Sequence, residues 1–233
     1  MYRGNFISFL PFYLLVAIIF IGIASIGSRT VTVVAENVPV QRQHCIVIDA
    51  GHGGIDGGAT SCSGVLESAV NLEIAQRLND LLRLLGIDTL MIRTTDTSVH
   101  TSEGSIAHIK VSDLKERVRI VNETDNATLV SIHQNTFSES RYSGAQVFYG
   151  NDDSKLLAQQ MQAAFISALN PDSRRKSKQA EGVYLMEHVS CPAVLVECGF
   201  LSNPEEELKL RSGDYQNKIA CVIASNIDKF IDS

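Results

Sequence analysis

The chain carries no excess of positive charge: 20 Lys and Arg stand against 26 Asp and Glu, a formal net charge of −6. Nucleic-acid binding, which rewards a basic face, is therefore not expected. Bulk adhesion to an anionic wall polymer is not expected on the same ground, so any grip on such a polymer must be local. A complete internal disulfide framework is impossible, because the 5 cysteines are odd in number. No Cys-x-x-Cys pair or Cys/His knuckle occurs. Cys191 and Cys198 flank an apolar run that reads as a strand, whose extended span of roughly 20 Å exceeds disulfide reach. The cysteines are read as small buried hydrophobes. Internal repeats and low-complexity segments are also missing, and no appended wall-binding module is expected after the closing helix.

Among the features present, the first is a stretch without charge from Phe6 to Gly27, with Arg3 ahead of it and Arg29 behind. About 20 apolar residues are long enough to span a bilayer and exceed the ~7–15 of a signal-peptide core. The reading is a membrane anchor, or a signal cleaved near Val33-Val34-Ala35, over residues 1–35, then a linker over 36–44. Either way the folded remainder, 45–233, is expected outside the cytoplasm, with the membrane as a partner through the N-terminal segment.

From Cys45 onward, short apolar strands alternate with helical spacing. Strands are expected at 45–49, 89–92, 128–132, 145–149, 183–186 and 193–196, and helices at 65–85, 114–121, 155–169 and 215–231. Ile74, Ala75, Leu78, Leu81, Leu82 and Leu85 share one helical face, and Gly86 stops that helix. Ser202-Asn203-Pro204-Glu205-Glu206 carries the cap, first-turn proline and acidic turn of another helix start. Such alternation predicts a single α/β domain with a mostly parallel twisted sheet flanked by helices on both faces. Residues 98–112 read as a long surface loop.

In open α/β sheets ligands sit beyond the carboxyl ends of strands. Three expected strands run there into reactive residues: Asp49-Ala50-Gly51-His52-Gly53-Gly54, Ser131-Ile132-His133-Gln134-Asn135 and Val196-Glu197-Cys198-Gly199-Phe200. Glu67, in the opening turn of the helix after the glycine loop, faces the same edge. Two histidines and a carboxylate suit a catalytic zinc, which takes three protein ligands and keeps a fourth position open. A further carboxylate can move the proton of the attacking water. Residue type alone leaves Glu67, Asp49 and Asp56 open as the carboxylate ligand. A phosphate-binding loop at 51–58 is disfavoured, because the Gly-x-Gly-x-x-Gly spacing and the Walker lysine are missing.

These motifs, with Glu67 15 residues after His52 and the run Pro192 to Asn203, resemble the N-acetylmuramoyl-L-alanine amidases of the Amidase_3 type. Gly86, Arg93, Arg117 and Asn122 fit the resemblance, which covers about 45–231. It implies a zinc held by His52, Glu67 and His133, with Glu197 as catalytic acid/base. The bond cut would be the amide joining the lactyl group of N-acetylmuramic acid to L-alanine in peptidoglycan. The short form with a hydrophobic leader is similar to the sporulation-associated CwlD branch, implying a role in spore cortex. An accessory protein for targeting or activation is expected, since the chain has neither targeting repeats nor a basic surface. Rival readings are a non-catalytic wall-binding module, a carboxypeptidase or deacetylase, and a vegetative autolysin. Gln134 is expected to narrow the site or touch the stem peptide. Arg174 to Lys178 reads as a solvated loop, with a local grip on carboxylates as the functional alternative. His44, His100, His108 and His188 are read as structural or exposed.

Overall fold

The computed structural model describes residues 44–232, so the anchor or signal reading of 1–35 lies outside the described residues. Among these residues no helix is long and apolar enough to cross a membrane. A six-stranded sheet organises the domain. Its strands are β1 (Cys45–Ala50), β2 (Asp88–Met91), β3 (Ala127–Asn135), β4 (Gln146–Tyr149), β5 (Lys178–Gln179) and β6 (Ala193–Phe200). The order is β2-β1-β3-β6-β4-β5, parallel throughout except where β4 runs against β6. This is the expected architecture of a mostly parallel, doubly covered sheet.

Among the described residues six helices complete it: α1 (Glu67–Leu84), α2 (Ile106–Asn122), α3 (Asp152–Ala168), α4 (Tyr184–His188), α5 (Pro204–Leu210) and α6 (Gly213–Ile231). One face of the sheet packs against α1, α3 and α6, where Ile74, Leu78, Phe165, Ile219, Ile223 and Ile227 are fully buried. The other packs against α2 and α4 through Val121, Leu185 and Met186. Burying each such side chain contributes about 1.5–3 kcal/mol, which makes the apolar stripes of α1 and α6 the main source of cohesion on the first face. At the end of α1, Ile87 N–H reaches the Leu82 carbonyl and Gly86 N–H the Arg83 carbonyl, with Gly86 at φ +80°. That is a Schellman stop at the expected glycine. Leu85, expected on the buried face, is the C-cap and half exposed.

Several boundaries differ from the sequence reading. Residues 183–186 form no strand; Tyr184 begins one turn of helix, and β5 lies earlier, at 178–179. A short apolar run buries its side chains equally well in either state, so periodicity could not decide it. α2 starts inside the expected loop, at Ile106, capped by Ser105, whose side chain accepts from His108 N–H. Its buried face is Ile109, Ser112, Asp113, Arg117 and Val121, so polarity concealed the helix. Three cysteines keep the buried reading in whole or part, but Cys62 and Cys221 are exposed; all five are free.

Candidate metal centre and cleft

β1 ends at Ala50, and the chain turns over the sheet edge with His52 at φ +61°, Gly53 at +130° and Gly54 at +58°. A histidine in the left-handed region costs about 1–2 kcal/mol and must be held there. Two buried guanidiniums do so. Arg117 donates to the carbonyls of Ala50 (3.0 Å) and His52 (2.7 Å), and pairs with Asp49 and Asp113. Arg93 donates to the carbonyls of Ala50 (2.8 Å), Gly51 (3.0 Å) and Ser68 (2.8 Å). Burial opposes ionisation of Asp49, yet the Arg117 charge holds its carboxyl below the usual range, helped by a 2.6 Å bond from the Ser131 hydroxyl.

Glu67 opens α1, where no side chain caps the helix. Instead Glu67 N–H donates to the Ala59 carbonyl and Ser68 N–H to the Gly57 carbonyl, which lays the glycine loop across the helix start. The Glu67 carboxylate is almost enclosed. Oε1 accepts from Gln134 N–H (3.1 Å) and Asn71 Nδ2 (3.3 Å), and Oε2 from Ala59 N–H (2.9 Å). His133 Nδ1 lies 3.0 Å from Oε1 and His52 Nε2 3.3 Å from Oε2. Burial works against its charge, but the two histidines outweigh that and hold the carboxyl far below the normal range. For His52, burial works against protonation; Glu67 and then Asp56 override it and push the imidazole up to about 9 in the metal-free protein.

His133 occupies the end of β3 and is paired in register with Glu197 on β6. A Cβ on Gly51 would stand 2.2 Å from the His133 ring, so only glycine lets β1 pass beside it. Glu197 Oε2 is buried and has no hydrogen-bond partner among the described residues. Burial pushes this carboxyl up to about 7; His133 opposes the rise and Glu67 adds to it.

A cleft of about 300 Å³ is lined by Gly51, His52, His133 and Glu197. Leu114, Val183, Tyr184, Leu185 and Leu195 supply an apolar wall. Among the described residues one group of three metal-type side chains converges: His52, Glu67 and His133, with donor atoms within 4.8 Å of one another. Two imidazoles and one carboxylate at that spacing fit a zinc with an open fourth position. Of the three carboxylates left open by the sequence, Glu67 is the one that belongs to this group. Asp49 is committed to Arg117 and Ser131, and Asp56 to His52 Nδ1 (2.9 Å) and Lys110 (2.7 Å).

Gln134 departs from its expected place. It is buried, donates to Asn71 Oδ1 at 3.1 Å and does not line the cleft. Residues 174–178 do not line it either; Arg175 is tied to Gln146 and Ser143 and lies over the Phe200 ring. His44 bonds Thr128, His100 bonds Ser98, and His188 bonds the Tyr184 carbonyl, all apart from the donor group. Sequence reasoning noted Arg93 and Arg117 only as landmarks and assigned nothing to Asn71 or Lys110. A buried arginine leaves no periodic signature.

With the geometry in place, comparison with known proteins is direct. Residues 46–229 match the Amidase_3 family, N-acetylmuramoyl-L-alanine amidase. This chain belongs to that family. It is similar to the germination-specific N-acetylmuramoyl-L-alanine amidase of Bacillus subtilis, 37% identical over 189 residues, covering 79% of this chain and 78% of the relative. The solved CwlD amidase from Clostridioides difficile, in complex with the GerS lipoprotein, superposes with TM-score 0.78 at 35% identity, covering 82% and 99% of the two chains. An N-acetylmuramoyl-L-alanine amidase from Clostridium difficile 630 gives 0.71 at 31%, covering 82% and 98%. The Amidase_3 chain is thus a cell-wall amidase similar to the sporulation branch, and the His52–Glu67–His133 group and Glu197 sit at the carboxyl edge of its sheet.

Proposed function

We propose that this amidase hydrolyses the amide between the lactyl group of N-acetylmuramic acid and L-alanine, with zinc held by His52, Glu67 and His133 and with Glu197 as acid/base. Zinc supplies, when bound, a Lewis acid and a water of lowered pKa. Glu197 takes the proton of the attacking water and returns it to the departing nitrogen. The carbonyl carbon gains an oxygen as its C–N bond breaks. The products are a lactyl carboxylate on the glycan and a free L-alanine amine on the stem. Leu114, Val183 and Leu185, which line the cleft, would shield the reacting bond from competing water.

The observation that carries this reading is the orphaned, buried Glu197 oxygen in the cleft that His52 and His133 of the three-donor cluster also line. A buried carboxyl near neutrality is suited to both halves of a proton transfer. Residues 45–233 form the catalytic domain, and residues 1–35 hold it at the outer face of a membrane or direct its export. The chain acts in spore cortex maturation, a role supported by its similarity to the germination-specific enzyme. An accessory protein supports it, as GerS is found with the related CwlD.

The test incubates the full-length chain, purified in detergent with zinc, with peptidoglycan beside Glu197→Gln, and identifies products by mass spectrometry. Stems with free L-alanine amines, absent for the variant and absent after chelation, are expected. Released D-alanine or acetate would instead indicate a carboxypeptidase or a deacetylase. Expression confined to sporulation separates the cortex role from a vegetative autolysin.

A further inference from the structure

Asp56 belongs neither to the donor set nor to the acid/base assignment, yet both its oxygens are engaged at the site. Oδ2 lies 2.9 Å from His52 Nδ1. Oδ1 lies 2.7 Å from Lys110 Nζ and accepts from Gly58 N–H at 3.4 Å. The backbone fixes it relative to the imidazole it serves: Gly53 N–H donates to the Asp56 carbonyl at 2.8 Å and Asp56 N–H to the Gly53 carbonyl at 3.2 Å.

An imidazole can ligate only through a nitrogen that carries no proton, and the bond made by the other nitrogen decides which one that is. An ionised carboxylate can only accept. Asp56 at Nδ1 therefore keeps a proton there, and the nitrogen that can give up its proton to ligate a metal is Nε2, which faces Glu67. Lys110 reaches in from α2, so a separate element holds the carboxylate in place.

We propose, on the strength of the zinc reading above, that Asp56 is a positioning residue that fixes the tautomer and ring orientation of His52. Lys110 is the cation that anchors Asp56, so the placement of α2 bears on metal affinity. A carboxylate that merely tied the loop to α2 would change stability and leave metal binding alone.

The experiment strips the full-length chain of metal and titrates it with zinc against a chromophoric chelator. Thermal midpoints of the metal-free proteins are recorded alongside. Asp56→Ala weakens zinc binding roughly 10- to 100-fold. Asp56→Asn recovers part of that, because its amide oxygen still accepts from Nδ1–H, and Lys110→Met weakens binding severalfold at an unchanged metal-free midpoint. Zinc binding by both Asp56 variants as tight as wild type would overturn the assignment and leave the zinc reading standing. A wild-type chain that takes up no zinc would overturn both. If the alanine variant does not fold, the asparagine variant decides: weakened binding supports the assignment and wild-type binding refutes it.

Discussion

Glu197 and Gly51 show how much of this site is set by single side chains. Because burial raises Glu197 to about 7 in the metal-free protein, folding favours its protonated form. Its stabilising contribution is complete below the unfolded value near 4.5 and is lost as pH rises through about 7. Metal-free protein should therefore lose stability between these values, and Glu197→Gln should remove that part of the slope in urea titrations run at several pH values. An identical slope in the variant would refute the assignment of the raised carboxyl. In the zinc-loaded protein the same substitution should lower kcat by about 10²- to 10⁴-fold with zinc content unchanged, measured by product release and metal analysis. Gly51→Ala places a methyl 2.2 Å from the His133 ring. The ring must move, and zinc affinity should fall at least about tenfold, on the scale of losing a ligand's support. Gly86→Ala, with nothing within 4 Å of its new Cβ, should cost about 1 kcal/mol of stability and leave turnover intact.

At the scale of elements, α2 is the member whose importance exceeds its sequence signature. Its inward face delivers Arg117 to Asp49 and to the carbonyls of the His52 turn, and Lys110 to Asp56. Arg117→Met strands Asp49 in the interior, and removing one partner of a buried ion pair costs about 3–5 kcal/mol. Equilibrium denaturation should register that loss; a change under 1 kcal/mol would mean that Ser131 alone satisfies Asp49. Legibility follows the same physics. β1, β3, β6, α1 and α6 were readable because their buried faces are apolar, and His52, His133 and Glu197 were readable because they follow directly on the apolar runs of β1, β3 and β6. The first half of α2 was not, since Ser112, Asp113 and Arg117 face inward. Tyr184 to His188 was not, because Leu185 and Met186 fit a strand as well as a turn of helix. Residue type alone left Glu67 level with Asp49 and Asp56, and only the family resemblance singled it out; the structure adds the partners that occupy the other two carboxylates.

For the molecule as a whole, the described residues, 44–232, form a compact unit. The excised catalytic domain, 45–233, should unfold in one cooperative step at the midpoint of the full chain, read by circular dichroism. A midpoint lower by more than about 5 °C would show that the preceding segment contributes to the fold. The register of β3 against β6 carries one more consequence. His133 and Glu197 are opposite numbers in a parallel ladder, so their separation is measured out by the spacing of peptide strands, about 4.8 Å. The sheet acts as a ruler between the backbones of one metal-type side chain and the buried carboxyl, set just before the register irregularity that follows His133. Heat should leave that interval intact up to the temperature at which the central strands part.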